Sequence, residues 1–223
     1  MRLGVLGTGR VGRTLSEAMA QRGNDVTMGA RDPSAVSGRE ADGELFEVWL
    51  RRHDGVRVAS FADAAANGEM VFNATAGAAS LDALHAAGEQ SLRGKILVDV
   101  ANPLDLSGGV PPTLTVANTD SLAEQIQRAF PQTRVVKALN TVNAAVMVNP
   151  AAVGQGDHDL FVCGDDGESK AAVKVILRDW FGWRTIHDLG GIDGARAMEM
   201  YLALWIRLMR STGSASFNVK VVS

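Results

Sequence analysis

A single cysteine, Cys163, means that no disulfide can form within this chain, which suits a reducing compartment. There is no C-x-x-C and no H-x-x-x-H spacing, so no metal site is readable. No apolar run approaches the roughly 18–20 residues that a membrane span requires. Lysine and arginine number 22 against 25 aspartates and glutamates, a net charge of −3. That balance lacks the basic footprint that nucleic acid or an anionic membrane asks for. The four histidines, His53, His85, His158 and His187, recur in no pattern with serine or cysteine, so no nucleophile–base pair stands out. Internal repeats and low-complexity tracts are missing too. A strand that starts at Arg2 leaves no room for a signal peptide. What remains is the expectation of a cytoplasmic globular protein of ordinary composition, 46% hydrophobic and 21% charged over 223 residues. A chain of this length buries roughly 70–75% of its unfolded surface and holds together by its core alone.

What is present begins at the start of the chain. Residues 2–6 are an apolar run that breaks into Gly7-Thr8-Gly9-Arg10-Val11-Gly12, a G-x-G-x-x-G. A helical pattern follows, with Val11, Leu15, Ala18 and Met19 on one face. Strand, glycine turn and helix, in that order, are the setting that a dinucleotide fingerprint needs. Gly7 then serves the tight turn, Gly9 the approach of backbone to a pyrophosphate, and Gly12 close packing of helix on strand. The helix start offers free N–H groups and a positive dipole end to the phosphates.

Gly23-Asn24 closes that helix, and residues 25–28 form a second strand ending at Gly29-Ala30-Arg31-Asp32-Pro33. An acidic residue near this point accepts a ribose 2′-OH, whereas an arginine suits a 2′-phosphate. Arg31 argues for NADP, with Ser34 and Arg10 as helpers, because a guanidinium matches a phosphate dianion. The competing reading makes Arg31 a solvated turn residue paired with Asp32. Residues 34–44 read as a loop or weak helix. A helix over 45–52 presents Leu45, Val48 and Trp49 to the core. Strand 56–59, helix 61–66, strand 70–73 and helix 81–87 follow. Strand 95–100 is continuous and β-branched, as expected where both faces are covered. Ser121 with Glu124 opens a helix that runs to about residue 130, and 134–139 is the next strand.

This alternation predicts an α/β fold, a doubly wound parallel sheet whose ligand lies outside the carboxyl ends of the strands. Those ends carry Thr8-Gly9, Asn73-Ala74-Thr75, Asn102-Pro103 and Asn140-Thr141. Each asparagine could do no more than cap the turn after it. Together they form a polar cluster that suits a cofactor crevice.

Beyond residue 145 the alternation weakens. Strand 160–163 precedes a helix over 167–181, with Asp165 and Glu168 read as its cap rather than as a metal site. Strand 184–187 follows, then a helix over 193–210 that is apolar nearly all round and so must be buried on more than one side. Residues 216–222 read as a strand, added to a sheet or lent to a partner. The expected division is a dinucleotide-binding domain over 1–145 and a small C-terminal α/β domain over 146–223. Lys137 lies near the crevice, where it could protonate a substrate oxygen or serve as a structural ion-pair partner. A nicotinamide enzyme without an evident acid or base suggests hydride passing between two rings, which depends on proximity and orientation.

Val5-Leu6-Gly7-Thr8-Gly9-Arg10-Val11-Gly12, Gly29-Ala30-Arg31, Val135-Val136-Lys137-Ala138-Leu139-Asn140-Thr141 and Val162-Cys163-Gly164-Asp165-Asp166 resemble the F420-dependent NADP oxidoreductase family. The likeness runs essentially the length of the chain, through Phe217-Asn218-Val219-Lys220-Val221-Val222. It implies a Rossmann-type domain, a small C-terminal domain, a homodimer, and reversible hydride transfer between NADPH and the deazaflavin coenzyme F420. By position, Thr8 to Val11 would hold the pyrophosphate and Arg31 the 2′-phosphate. Ala74, Thr75 and Ala76, with Asn102, would line the cofactor. Pro103, Leu104, Asn140, Thr141 and Phe217 would line the deazaflavin pocket, with Asn140 at the catalytic position. The asparagine form of that turn also resembles the NADPH-oxidising domain of membrane ferric reductases, whose acceptor is a flavin. The alternatives are therefore an NADPH-dependent reductase with a flavin or a small carbonyl or imine acceptor, and a non-catalytic NADP-binding redox sensor.

Overall fold

The computed structural model describes residues 1–41 and 43–222. Asp42, in the expected loop 34–44, and Ser223, the end of the expected second domain, lie outside the described residues. Among those described, eight strands build one sheet: β1 (Arg2–Leu6), β2 (Asp25–Ala30), β3 (Val56–Ser60), β4 (Met70–Asn73), β5 (Ile96–Asp99), β6 (Arg134–Ala138), β7 (Asp159–Cys163) and β8 (Thr185–Asp188). Their spatial order is β3-β2-β1-β4-β5-β6-β7-β8. The first six follow the doubly wound order of the Rossmann type, which reverses direction between β1 and β4. Pairing is parallel throughout except between β6 and β7.

The central strands are apolar on both faces because helices cover both. Leu3, Val5 and Phe72 pack into one cluster with Leu15 and Met19 of α1 (Arg10–Ala20). Leu6, Val71 and Leu97 pack into the other. That second cluster takes in Ala64 and Ala65 of α3 (Phe61–Asn67) and Ile126 of α6 (Leu122–Ala129). Gly12 packs α1 against the turn that follows β1. A Cβ there would overlap the backbone carbonyl of Gly7, which cannot move aside.

Several expectations change. The helix after the loop, α2 (Phe46–Arg51), turns Phe46 and Trp49 inward and leaves Leu45 and Val48 exposed. Leu45 is consumed by a short hairpin, Glu40–Ala41 with Glu44–Leu45, so the helix starts one residue late and its buried face is the Phe46/Trp49 pair. The helix expected over 167–181 is α-helical as α8 (Gly167–Val175) and continues directly as a π-helical turn over Ile176–Trp180. Its cap is Asp166, which accepts from the Ser169 N–H at 2.7 Å, while Asp165 accepts from Ile192 N–H on another loop. The tail 216–222 is not a strand. It lies along the start of β7, where the Val219 carbonyl accepts from Asp159 N–H and Asp159 Oδ2 accepts from Val221 N–H. A single backbone bond and several side-chain contacts hold it, not a ladder.

The long last helix, α9 (Ala195–Thr212), buries Met198, Leu202 and Ile206 at i, i+4, i+8 on one face. Within one chain its other flank stays half-buried at Met200, Tyr201, Leu208 and Met209, and Leu204 is exposed. Burial on more than one side is therefore not reached within the single chain. The division placed at 145/146 falls inside a continuous sheet, because β7 pairs with β6 at Lys137↔Cys163 and Ala138↔Val162. Among the described residues no helix is long and apolar enough to cross a membrane.

Gly12→Ala is expected to cost about 1–3 kcal/mol by forcing α1 away from the turn. Urea unfolding reads this as a lower midpoint at unchanged slope, and a wild-type midpoint would show that the contact is not tight.

Candidate functional site

The register of the sheet builds the site. Leu6, Asn73, Asp99 and Lys137 are successive partners across β1, β4, β5 and β6, so the strands end level and open onto one crevice. At its centre, Gly7 has φ 114°, a left-handed conformation that a side chain would strain, and a Cβ there would meet the Ala74 carbonyl oxygen at 2.5 Å. Gly9 caps α1 without a side-chain hydrogen bond, and nothing lies within 4 Å of where its Cβ would be. The uncapped N–H groups of α1 thus face open space, the arrangement that receives a phosphate.

Two clefts meet over this turn. One, of about 260 Å³, runs past Gly7 and Gly9 to Gly29, Ala30 and Arg31 at the end of β2. The other, of about 490 Å³, is bordered by Arg10 and Val11 and reaches Asn102, Asn140, Thr141 and the inner face of α9. Ala74, Thr75 and Ala76 border both. Two clefts that meet over a glycine turn at the start of a helix are the outline a dinucleotide asks for.

Most residues expected at the site are gathered there, but Gly12, Ser34, Pro103 and Phe217 border neither cleft. Arg31 is exposed at the small cleft, and among the described residues nothing pairs with its guanidinium, Asp32 included. Ser34 is not brought to the cleft. Its hydroxyl donates to Asp32 Oδ1 at 2.6 Å, because Asp32 caps the single 3-10 turn Pro33–Ala35. Leu104 borders the large cleft, but Pro103 is buried behind it and its carbonyl accepts from Thr115 N–H. Phe217 touches the cleft only through Trp205, on which it stacks at 5.3 Å. Trp205, Leu202 and Met147 border the large cleft and Arg39 the small one. Leu202 and Trp205 belong to the apolar wrap of α9 that the sequence displays, whereas no sequence signal marks Met147 or Arg39.

Asn140 follows Leu139, whose φ of 64° is a strained value for a branched side chain. The strained turn is locked from both sides. Asn140 Nδ2 donates to Asn102 Oδ1 at 3.0 Å and to the Met198 carbonyl at 3.0 Å, while Asn102 Nδ2 donates to the Asn140 carbonyl at 2.8 Å. Both amide hydrogens of Asn140 are spent, so its remaining capacity is as an acceptor. Asn140 Oδ1 and Thr141 Oγ1 are buried without a partner among the described residues, in residues 3% and 2% exposed. Buried polar atoms normally have a partner, and these two border the cleft where a ligand would lie.

Behind the crevice runs a buried polar row. Asn73 Nδ2 donates to Asp99 Oδ1 at 2.8 Å, and Asn73 Oδ1 accepts from the Thr75 hydroxyl at 2.7 Å. Lys137 Nζ reaches Asp99 Oδ2 at 2.7 Å, Glu199 Oε1 at 2.8 Å and the Ala101 carbonyl at 2.5 Å. Glu199 comes from α9 and accepts from Leu122 and Ala123 N–H, the first turn of α6. Burial alone would lower the Lys137 pKa, but the Asp99 and Glu199 carboxylates outweigh it and hold the lysine charged. Burial raises the pKa of Glu199 against the opposing pull of Lys137. Lys137 is fully enclosed, so it is a structural ion-pair partner and not a proton donor in the cleft. Its neighbour Cys163 is inert, its thiol pushed up to about 12 mainly by burial.

A family model described as "NADP oxidoreductase coenzyme F420-dependent" matches residues 2–103. A crystal structure from Arthrobacter sp. FB24, of a provisionally named F420-dependent NADP reductase, is 52% identical over 100% of both chains with a TM-score of 0.96. Metalloreductase STEAP3 of Rattus norvegicus is 29% identical over 94% of this chain and 37% of its own length. The chain spans half or less of the length of the curated relatives it matches. A reductive aminase from Aspergillus terreus, solved with NADPH and ethyl levulinate, shares the fold alone. It is 18% identical over 95% of this chain and 62% of its own, with a TM-score of 0.64.

Lys137→Met should destabilise the protein by about 3–5 kcal/mol, since it strands two buried carboxylates that share one cation. Chemical denaturation measures this, and a loss under about 1 kcal/mol would mean that water reaches the row.

Proposed function

The chain belongs to the family of coenzyme F420-dependent NADP oxidoreductases, and from that premise we propose that it moves a hydride reversibly between NADP(H) and the deazaflavin coenzyme F420. It is an NADP-dependent oxidoreductase. The observation that carries the finer reading is the pair of clefts meeting at Ala74, Thr75 and Ala76, one ending on Arg31 and the other walled by side chains of α9. The nicotinamide supplies the hydride when bound, and this chain's residues hold and orient. The uncapped start of α1 takes the diphosphate, and Arg31 takes the 2′-phosphate.

At the large cleft, Asn140 and Thr141 offer acceptors to N–H groups such as a carboxamide or the imide of a deazaflavin ring. Asn140 orients the reacting rings in this reading. Neither of its amide hydrogens is available to a substrate oxygen. Leu202, Trp205 and Met147 give an apolar wall for a flat ring system and keep water from it. Hydride transfer between two rings asks for this kind of holding rather than a proton relay.

A flavin acceptor is the second reading, favoured by the likeness to the metalloreductase over most of this chain. The single thiol, buried and inert, suits a cytoplasmic setting. The half-buried outer flank of α9 suits a homodimer.

Mixing the protein with NADPH and oxidised F420 should bleach the deazaflavin absorbance catalytically. Turnover with a flavin and none with F420 would replace the acceptor. Tight NADPH binding without turnover of any acceptor would overturn hydride transfer altogether. Arg31→Ala should weaken NADPH by roughly tenfold to a hundredfold while NADH changes little, as loss of a charge-assisted contact to phosphate implies. Equal losses on both cofactors would remove Arg31 from the 2′-phosphate.

A further inference from the structure

We propose that Arg39 is a second determinant of NADP specificity, a guanidinium that closes on the 2′-phosphate opposite Arg31, and that the buried Arg13 is the residue that positions it. The inference rests on the NADP reading above and goes beyond it by assigning the other half of the phosphate's charge. A phosphomonoester carries close to two negative charges at neutral pH. Arg31 supplies one positive charge, and Asp32 beside it adds a negative one. Among the described residues bordering the small cleft, Arg31 and Arg39 are the only charged side chains. Two guanidiniums match a dianion where one leaves it half-compensated. The Asp32 carboxylate forms its hydrogen bonds within its own loop, to Ser34 N–H and Oγ, and the charge of Arg39 acts on it only over a longer range.

Arg39 sits on an exposed loop, yet its backbone is fixed at every polar atom. Its N–H donates to the carbonyl of buried Val36 at 3.0 Å, and its carbonyl accepts from Phe46 N–H at 2.8 Å and from Arg13 Nη2 at 2.9 Å. Arg13, 5% exposed, also donates from Nη1 to the Glu44 carbonyl at 2.9 Å and from Nε to the Thr8 carbonyl at 3.2 Å. Its guanidinium lies 5.0 Å from the Phe46 ring centroid and 6.0 Å from that of Trp49. One buried cation thus clamps the glycine turn, through Thr8, to both ends of the hairpin that carries Arg39. The planar fork of arginine can serve three carbonyls at fixed angles, which a lysine ammonium cannot reproduce. Arg13 meets no part of the cleft itself, so its effect on the cofactor passes through Arg39 and Thr8.

Equilibrium titrations with NADPH, NADH, adenosine 2′,5′-bisphosphate and adenosine 5′-monophosphate test this on the full chain. Arg39→Ala should weaken NADPH and the bisphosphate roughly tenfold and leave NADH and the monophosphate within about twofold. Arg39 is exposed, so this variant keeps its fold. Arg39→Lys should recover part of the loss. Arg13→Lys should lower the ratio of NADPH to NADH affinity as well. Adding Arg39→Ala to Arg13→Lys should then cost less than it does alone, because the guanidinium is already misplaced. If Arg39→Ala leaves NADPH binding unchanged, or weakens both cofactors alike, while Arg31→Ala still lowers NADPH alone, the inference fails and the NADP reading stands. If Arg13→Lys loses both cofactors in proportion, the positioning role falls. If the wild-type chain does not distinguish NADPH from NADH, both readings fall together.

Discussion

A lysine with no exposed surface, held between two carboxylates, is the contact on which the rest of this molecule depends. Lys137 joins β6 to β5 through Asp99 and to α9 through Glu199. Glu199 in turn closes the open first turn of α6. Asp99 extends the chain of contacts through Asn73 to Thr75, which borders both clefts. A buried charge persists only when its partners are in place, so every element that contributes one is held in a single arrangement. The last helix, far away in sequence, is thereby fixed against the strand ends that form the crevice.

The crevice divides its labour by physical chemistry. At the β2 end, glycines and uncapped N–H groups leave open, positively biased space, and the charged side chains there are arginines. At the α9 end the polar surface is amide and hydroxyl, and the rest is Leu202, Trp205 and Met147. Asn140 spends both amide hydrogens, on Asn102 Oδ1 and on the Met198 carbonyl, and its own Oδ1 is buried with no partner among the described residues. The strained Leu139 shows what holding this turn costs the backbone. Trp205, stacked on Phe217, also brings the docked tail to the rim of the same cleft.

The legible part of the fold was its periodic part. β1 and β4 fall where their apolar runs begin and end, because a strand buried on both faces must be apolar throughout. Ser121 caps α6 through Glu124 N–H as its spacing implied. The illegible parts were those in which side chains rather than periodicity decide. Asp166 and not Asp165 caps α8, since Asp165 is drawn to Ile192 by a loop that sequence distance conceals. The tail lacks a ladder because Asp159 and its neighbours capture it by single contacts. Ser34 looked available until the turn at Asp32 consumed its hydroxyl.

The sequence by itself determined the glycine turn, the alternation that makes the sheet, and the arginine at the end of β2. Each of these is a local demand: a positive φ, a repeat, a charge one strand away from the turn. Only the tertiary structure decided that β7 and β8 extend that sheet, that Arg39 borders the same cleft as Arg31, and that Lys137 lies between Asp99 and Glu199. Those depend on register and on which buried cation finds which distant carbonyl or carboxylate, and neither is a property of any short stretch of chain.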